Sequence, residues 1–238
     1  MLGRSSTPAR PITYNARLIT SLAFPYHHCP LPCLPPSIHV SSSHLRHYSA
    51  YHPFRTMSRK YRHYPDGNYI YFITSAVVEW IPLFLSHRYF NILTDAFAYC
   101  RNNKGLRVHA YVLMPNHFHL IASSEPQAAL PDIIRDLKRY TSREVTRCLE
   151  EDGAYFVLGL LEEAAVLDER NNIYQVWQKG YHPEAIFTQR FFRQKLDYLH
   201  NNPVRKGYVD AAEHWRYSSA SQYVAGSVGM MEIDRLEL

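Results

Sequence analysis

The segment that most constrains the fold is a pair of short apolar stretches separated only by a proline and an asparagine. Residues 107–114 (RVHAYVLM) and 117–123 (HFHLIAS) are rich in the β-branched and aromatic side chains that favour strands. Pro115 and Asn116 between them are typical of a tight turn. The sequence therefore predicts an antiparallel β-hairpin, and the rest of the chain must pack against its two faces.

Patterns on both sides of the hairpin place it in a larger sheet. We expect further strands at 69–78 and 174–178, and helices at 87–103, 131–150 and 189–201, with residues 151–172 helical in part. The order strand, helix, strand, strand, helix, strand is that of an α+β, ferredoxin-like fold: an antiparallel sheet with helices on one face. The other face of the sheet should then be open to a ligand.

The first 56 residues differ in composition from the rest of the chain. They hold eight of the 15 prolines, six of the 14 histidines and five arginines, but no acidic residue. Such a segment is expected to be disordered. An organelle transit peptide, a nucleic-acid-binding tail and a true translation start at Met57 all explain it, and we favour the last. A domain at 57–225 and a C-terminal tail at 226–238 should follow.

The net charge of +5 does not by itself indicate a nucleic-acid partner. The first 56 residues carry all of it, which leaves 21 basic against 21 acidic side chains in the remainder. The four scattered cysteines indicate reduced thiols in a cytosol-like compartment. No apolar run reaches the roughly 18 residues of a membrane span, so we expect a soluble protein that does not enter a membrane.

Two histidines in the second hairpin strand are candidate metal ligands. His117 and His119 are two residues apart, so both side chains lie on one face of the strand, with Cα atoms about 7 Å apart. Two imidazoles at that separation can converge on one ion. Phe118 and Leu120 point the opposite way, into the predicted core. The spacing alone is weak evidence, because the same pair also occurs as two polar residues on an open sheet face.

Tyr198 is a candidate nucleophile on the last predicted helix. It lies off the apolar stripe of that helix, which consists of Phe192, Leu196 and Leu199. Asn202 and Gln194 project within about 40° of it, and Lys195 is adjacent. The Asn202 amide, one turn from the Tyr198 phenol, is placed as a third metal ligand beside a nucleophile would be. Gln194 and Lys195 are possible supporting residues of the same site. An ordinary polar helix face would look the same.

These residue types suit attack on a phosphodiester. A phenol with an ordinary pKa of about 10 is a poor nucleophile at neutral pH, so the phosphate must be made more electrophilic. A divalent ion held by neutral imidazoles and an amide oxygen keeps its Lewis acidity, because no carboxylate cancels its charge. The product of attack would be a 5′-phosphotyrosine and a free 3′-hydroxyl, and the reverse step would rejoin strands.

Basic residues recur on the predicted helix 131–150 and could follow several phosphates. From Arg135 to Arg147 they form a stripe roughly 18 Å long at 1.5 Å per residue. The members singled out for DNA binding are Arg135, Lys138, Arg139 and Arg143. The alternative is a solvated helix face on which nearby carboxylates balance the arginines.

Six segments in one order resemble a known family: the single-tyrosine HUH transposases of the insertion-sequence-200/605 type, and more closely their REP-associated tyrosine transposase branch. The segments, spread from about Met57 to Tyr223, are MSRKYR, HAYVLMPNHFHLI, DLKRYTSR, VWQKGYHPEAI, KLDYLHNNPVRKGYV and HWRYSSASQY. The leader has no counterpart in that family, and the part between Arg147 and Tyr174 is longer than in its compact members.

The resemblance implies a role for each residue that matches the family motifs. His117, His119 and Asn202 would bind Mg²⁺ or Mn²⁺, and Tyr198 would attack single-stranded DNA beside an imperfect hairpin. The enzyme would work as a monomer or homodimer in the cytoplasm, associated with the nucleoid. Two alternatives stay open: a domesticated module that binds hairpin DNA or RNA without cleaving it, and a non-catalytic metal protein.

Overall fold

The computed structural model describes residues 69–166 and 172–236, and the predicted leader at 1–56 lies outside them. None of the helices in these two ranges combines the length and the apolar character needed to cross a membrane. In chain order the elements are β1 (Ile70–Ala76), a single 3-10 turn (Val78–Trp80), α1 (His87–Lys104), β2 (Leu106–Met114), β3 (His117–Ser124), α2 (Leu130–Glu151), α3 (Tyr155–Val166), β4 (His182–Ile186), α4 (Gln189–His200), α5 (Asn202–Arg205), a second 3-10 turn (Ala212–His214) and α6 (Ala220–Ala225).

The four strands form one antiparallel sheet in the order β2-β3-β1-β4. The predicted ferredoxin-like sheet is therefore confirmed, and the hairpin β2–β3 lies within it. In β3, His119 is opposite Thr74 of β1 and His117 is opposite Ala76. The end of β1 thus lies beside the turn of the hairpin.

The strand predicted at 174–178 is wrong, and the fourth strand is β4 instead. Residues 174–178 contribute only an isolated bridge between Trp177 and Val77. Trp177 is buried between aromatic side chains of the core and donates a hydrogen bond from its indole nitrogen to Thr141 on α2 (3.0 Å). The apolar composition of residues 174–178 therefore reflects burial under a helix. The strand β4 contains Pro183, which is tolerated because β4 lies at the edge of the sheet.

The first face of the sheet packs against α1 and α2 around the larger hydrophobic core. Phe118 and Leu120 of β3 point into this core, as predicted. Phe97 of α1 meets Phe118 edge to face, with ring centroids 5.3 Å apart, and Ile134 of α2 is fully buried. This face of β3 is apolar, so the opposite face is the one available for polar chemistry.

The second face of the sheet, which we expected to be open, is covered in part by α4. Phe192 and Leu199, members of the predicted apolar stripe, pack against Phe72, Val112 and Ile121 in a second, smaller core. The stripe must be buried somewhere, and the second face offers the matching apolar surface. As a result the histidines of β3 lie next to a helix rather than in open solvent.

A buried hydrogen-bond cluster fixes the end of α4 to β2. The Nε2 atom of His200 lies 2.9 Å from the hydroxyl oxygen of Ser219, which accepts a hydrogen bond from the Tyr111 amide (3.0 Å). The His200 ring also contacts Tyr223. Burial lowers the pKa of His200 to about 4, so the side chain is neutral when α4 is docked.

Acid should therefore weaken the docking of α4 through His200. The folded-state pKa lies below the ordinary value of 6.5, so the contribution to stability is complete above that value and is lost as the pH falls from 6.5 towards 4. In urea titrations the free energy of unfolding of the wild type should fall over this range by roughly 3 kcal/mol more than that of His200→Gln. If the free energies of unfolding of the wild type and His200→Gln fall equally between pH 6.5 and 4, His200 is not the group responsible.

Candidate active site

Two buried imidazoles from β3 form the centre of the candidate site. His117 and His119 lie on the second face of the sheet and are each only 5% exposed, and their ring centroids are 4.9 Å apart. Their side chains share this face because residues two apart in a strand point the same way. The structure thus brings the two predicted metal ligands together at the centre of the sheet.

Each imidazole has a hydrogen-bond partner at its Nδ1 atom. His119 Nδ1 lies 2.8 Å from the Thr74 hydroxyl, and His117 Nδ1 lies 2.7 Å from the Asn116 amide oxygen. The Asn116 amide nitrogen donates to the Trp80 carbonyl (3.0 Å), which fixes the orientation of this amide. Because an amide oxygen only accepts, His117 carries its proton on Nδ1, and its Nε2 keeps a free lone pair.

Both imidazoles are neutral at ordinary pH. Burial lowers the pKa of His117 to about 4, assisted by the positive charge of Lys206 and opposed by the polar side chain of Asn202. Burial also lowers the pKa of His119 well below its ordinary value, and His117, Arg205 and Lys195 lower it further. A neutral imidazole is the form that binds a metal ion.

Asn202 supplies a third polar group. It begins α5, directly after α4 ends, and is 5% exposed. Its side-chain oxygen is buried without a hydrogen-bond partner, and its side chain influences the pKa of His117. Within residues 69–166 and 172–236, no group of three or more His, Cys, Asp or Glu side chains could hold a metal ion. An amide such as that of Asn202 is therefore needed to complete a three-ligand set with the two histidines.

Tyr198 lies on the open side of the imidazole pair. Its ring centroid is 5.3 Å from that of His119 and 5.8 Å from that of Phe72, and the residue is 41% exposed. The Arg205 guanidinium lies 4.2 Å from the centre of the Tyr198 ring and donates a hydrogen bond to the Tyr198 carbonyl (2.8 Å). Arg205 thus covers one face of the Tyr198 ring, and the rest of the side chain remains accessible to a large ligand.

The surroundings of the site are positively charged. Three cations influence the imidazoles: Lys195, Arg205 and Lys206. Lys195 also pairs with Glu184 (2.8 Å) and lies over the Phe72 ring, and its supporting role stays a prediction. Gln194, the other expected support, is exposed on α4.

Sequence reasoning missed several residues that the structure adds to the site. Asn116 and Thr74 orient the histidines, and Arg205 and Lys206 bring charge to them. Asn116, Arg205 and Lys206 lie in segments already singled out for the resemblance, so attention to the neighbours of the motif residues could have found them. Thr74 gave no such signal, because its role depends on the register between β1 and β3.

The basic stripe on α2 is separated from the site by the sheet. Arg139 and Arg143 are the most exposed members, and each lies near a carboxylate of its own helix. Arg135 pairs with Asp132 (2.5 Å). Lys138 donates to the carbonyl oxygens of Gln178 and Gly180, so it holds a loop in place. Because α2 covers the first face, this stripe cannot contact the same phosphate as Tyr198.

Comparisons with known proteins agree with the fold and with the histidine segment. Residues 84–155, which include both histidines, match the family described as Transposase IS200 like. The chain is 24% identical over 175 residues to a candidate REP-associated tyrosine transposase of Haemophilus influenzae, covering 72% of this chain and 90% of the relative.

The solved structure of a REP-associated tyrosine transposase bound to a REP hairpin shares this fold. It superimposes with a TM-score of 0.52 at 20% identity, over 75% of this chain and 93% of that one. The sheet and the histidine segment are thus similar to those of IS200-like transposases. The predicted resemblance to the REP-associated tyrosine branch is confirmed.

The unpaired oxygen of Asn202 should make the metal-free protein less stable than it could be. A buried acceptor without a partner carries a desolvation penalty of about 1–3 kcal/mol. In chelator, Asn202→Leu, which has a similar branched shape, should leave the free energy of unfolding unchanged or raise it by about 1 kcal/mol. Asn201→Leu at the exposed neighbouring position is the matched control, and a marked loss confined to Asn202→Leu would show that this oxygen is satisfied.

Proposed function

We propose that this protein is a transposase that nicks and rejoins single-stranded DNA next to hairpin sequences, through a covalent 5′-phosphotyrosine intermediate on Tyr198. The observation that carries the proposal is the convergence of an exposed tyrosine, two neutral imidazoles and a buried unpaired amide oxygen at one place between β3 and α4. Neither an inert sheet surface nor a simple binding module needs that combination.

The residues present fit a divalent metal ion. His117 and His119 would bind it through Nε2, since their Nδ1 atoms are engaged, and Asn202 would bind it through the side-chain oxygen that has no other partner. Mg²⁺ or Mn²⁺ suits a site that also takes phosphate oxygens. When bound, the ion supplies Lewis acidity that makes the phosphorus more electrophilic.

The chain's own residues would perform the transfer in one displacement. The Tyr198 oxygen forms a bond to phosphorus as the phosphorus–O3′ bond breaks, the electron pair stays on O3′, and that oxygen takes a proton to become the free 3′-hydroxyl. The phenolic proton leaves to solvent, which the exposure of Tyr198 allows. Arg205 and Lys206 offer positive charge where the transferring phosphate gains negative charge. The reverse displacement rejoins strands.

The DNA partner would be a single strand with a hairpin. The solved relative is bound to a REP hairpin, and the cations beside Tyr198 favour a phosphodiester in this chain also. The stripe on α2, with Arg135, Lys138, Arg139 and Arg143, would contact DNA away from the scissile phosphate, since it lies behind the sheet. Arg139 and Arg143 line a groove against residues 172–181 that could receive a second part of the strand.

A covalent-adduct assay tests the proposal. The wild type, incubated with Mg²⁺ and hairpin-bearing single strands from the DNA flanking its own gene, should form an adduct that survives denaturation. Tyr198→Phe should abolish the adduct, because the attacking oxygen is gone. Tyr208→Phe is the matched control: this similarly exposed phenol contacts Trp215, and its loss should leave the adduct in place.

Two results would contradict the proposal in different ways. An adduct that persists in Tyr198→Phe would mean that another residue is the nucleophile. Hairpin binding that survives chelation, with no adduct in any condition, would instead favour a domesticated binding module.

A further inference from the structure

Trp80 is an exposed aromatic side chain beside the histidine pair that the chemistry above does not use. It is 45% exposed, and its ring centroid lies 5.5 Å from that of His117, edge to face. It follows β1, whose last residue, Ala76, is opposite His117. The indole therefore stands at the rim of the site, with a large part of its surface in solvent.

The backbone at this position is strained. Glu79 and Trp80 have φ angles of 48° and 55°, and among the described residues they are the only non-glycine residues with positive φ. A glycine at residue 80 would adopt this conformation without strain. Nearly half of the tryptophan surface is in solvent, so packing alone does not account for a bulky side chain at a strained position.

The turn is held in this conformation by the same residue that orients the metal ligand. Asn116 donates from its amide nitrogen to the Trp80 carbonyl and accepts from His117 with its amide oxygen. The backbone amide of Val77 also donates to the Asn116 carbonyl (2.8 Å). One side chain thus links the backbone of Trp80 to the imidazole of His117.

We infer that Trp80 is a stacking platform for one nucleobase of the single strand that enters the site. The inference rests on the proposed function, and it adds a recognition element for the base next to the phosphate that Tyr198 attacks. A nucleobase has a flat π-face that stacks on an indole, whatever its identity. Lys206 acts electrostatically on the same histidine, so the site offers a cation for a phosphate as well as a surface for a base.

Two short probes of equal charge separate stacking from electrostatic attraction: an oligothymidylate and an oligomer of abasic deoxyribose phosphates of the same length. Binding is measured in chelator, so no cleavage occurs and the result does not depend on nuclease activity. The wild type should prefer the oligothymidylate by roughly five- to a hundredfold, the range for one stacked base. Trp80→Gly should lose that preference while its thermal unfolding midpoint stays unchanged or rises, because strain is relieved.

Two further variants complete the test. Trp80→Phe should keep a larger share of the preference than Trp80→Gly, since it retains an aromatic face. Tyr99→Ala removes an exposed aromatic residue from α1, behind the sheet, and should keep all of the preference. The inference is overturned if Trp80→Gly still prefers the oligothymidylate as strongly as the wild type, or if Trp80→Phe loses as much as Trp80→Gly. A wild type that shows the preference but forms no covalent adduct would overturn the proposed nuclease and leave the platform standing.

Discussion

The packing of α4 against the second face of the sheet is the contact on which the site depends. Phe192 and Leu199 bury the apolar stripe of α4 over the sheet, and the polar side of the same helix then brings Tyr198 to His119. Asn202 follows at the start of α5, where its side chain influences the pKa of His117. Without this contact, His117 and His119 would be two polar residues on an open strand, as most histidine pairs with this spacing are.

Burial under α4 and the hydrogen bonds at Nδ1 together prepare the imidazoles. Burial keeps both imidazoles neutral, and the Asn116 amide oxygen fixes the proton of His117 on Nδ1, which leaves Nε2 for the metal ion. Partners of this kind orient ligands and raise their basicity, which is why their loss typically lowers metal affinity tenfold or more. The unpaired oxygen of Asn202 fits the same scheme, because a metal ion would satisfy it.

The sequence predicted the elements with strong periodicity and missed those that depend on distant contacts. The hairpin, the helices and the off-stripe position of Tyr198 follow from local patterns, and the structure has all of them. The strand expected at 174–178 failed because the burial of Trp177 under α2 produces the same apolar composition as a strand. The role of Asn116 and the positive φ of Trp80 arise from contacts across the chain, which no local pattern encodes.

Both imidazoles are expected to bind one metal ion between β3 and α4. Pulsed electron paramagnetic resonance of the Mn²⁺-loaded protein, with ¹⁵N-labelled histidine, counts the imidazole nitrogens bound directly to the ion. We expect two such nitrogens in the wild type and one in His119→Ala. A wild-type signal with no coordinated histidine nitrogen, or one that His119→Ala leaves unchanged, would contradict it.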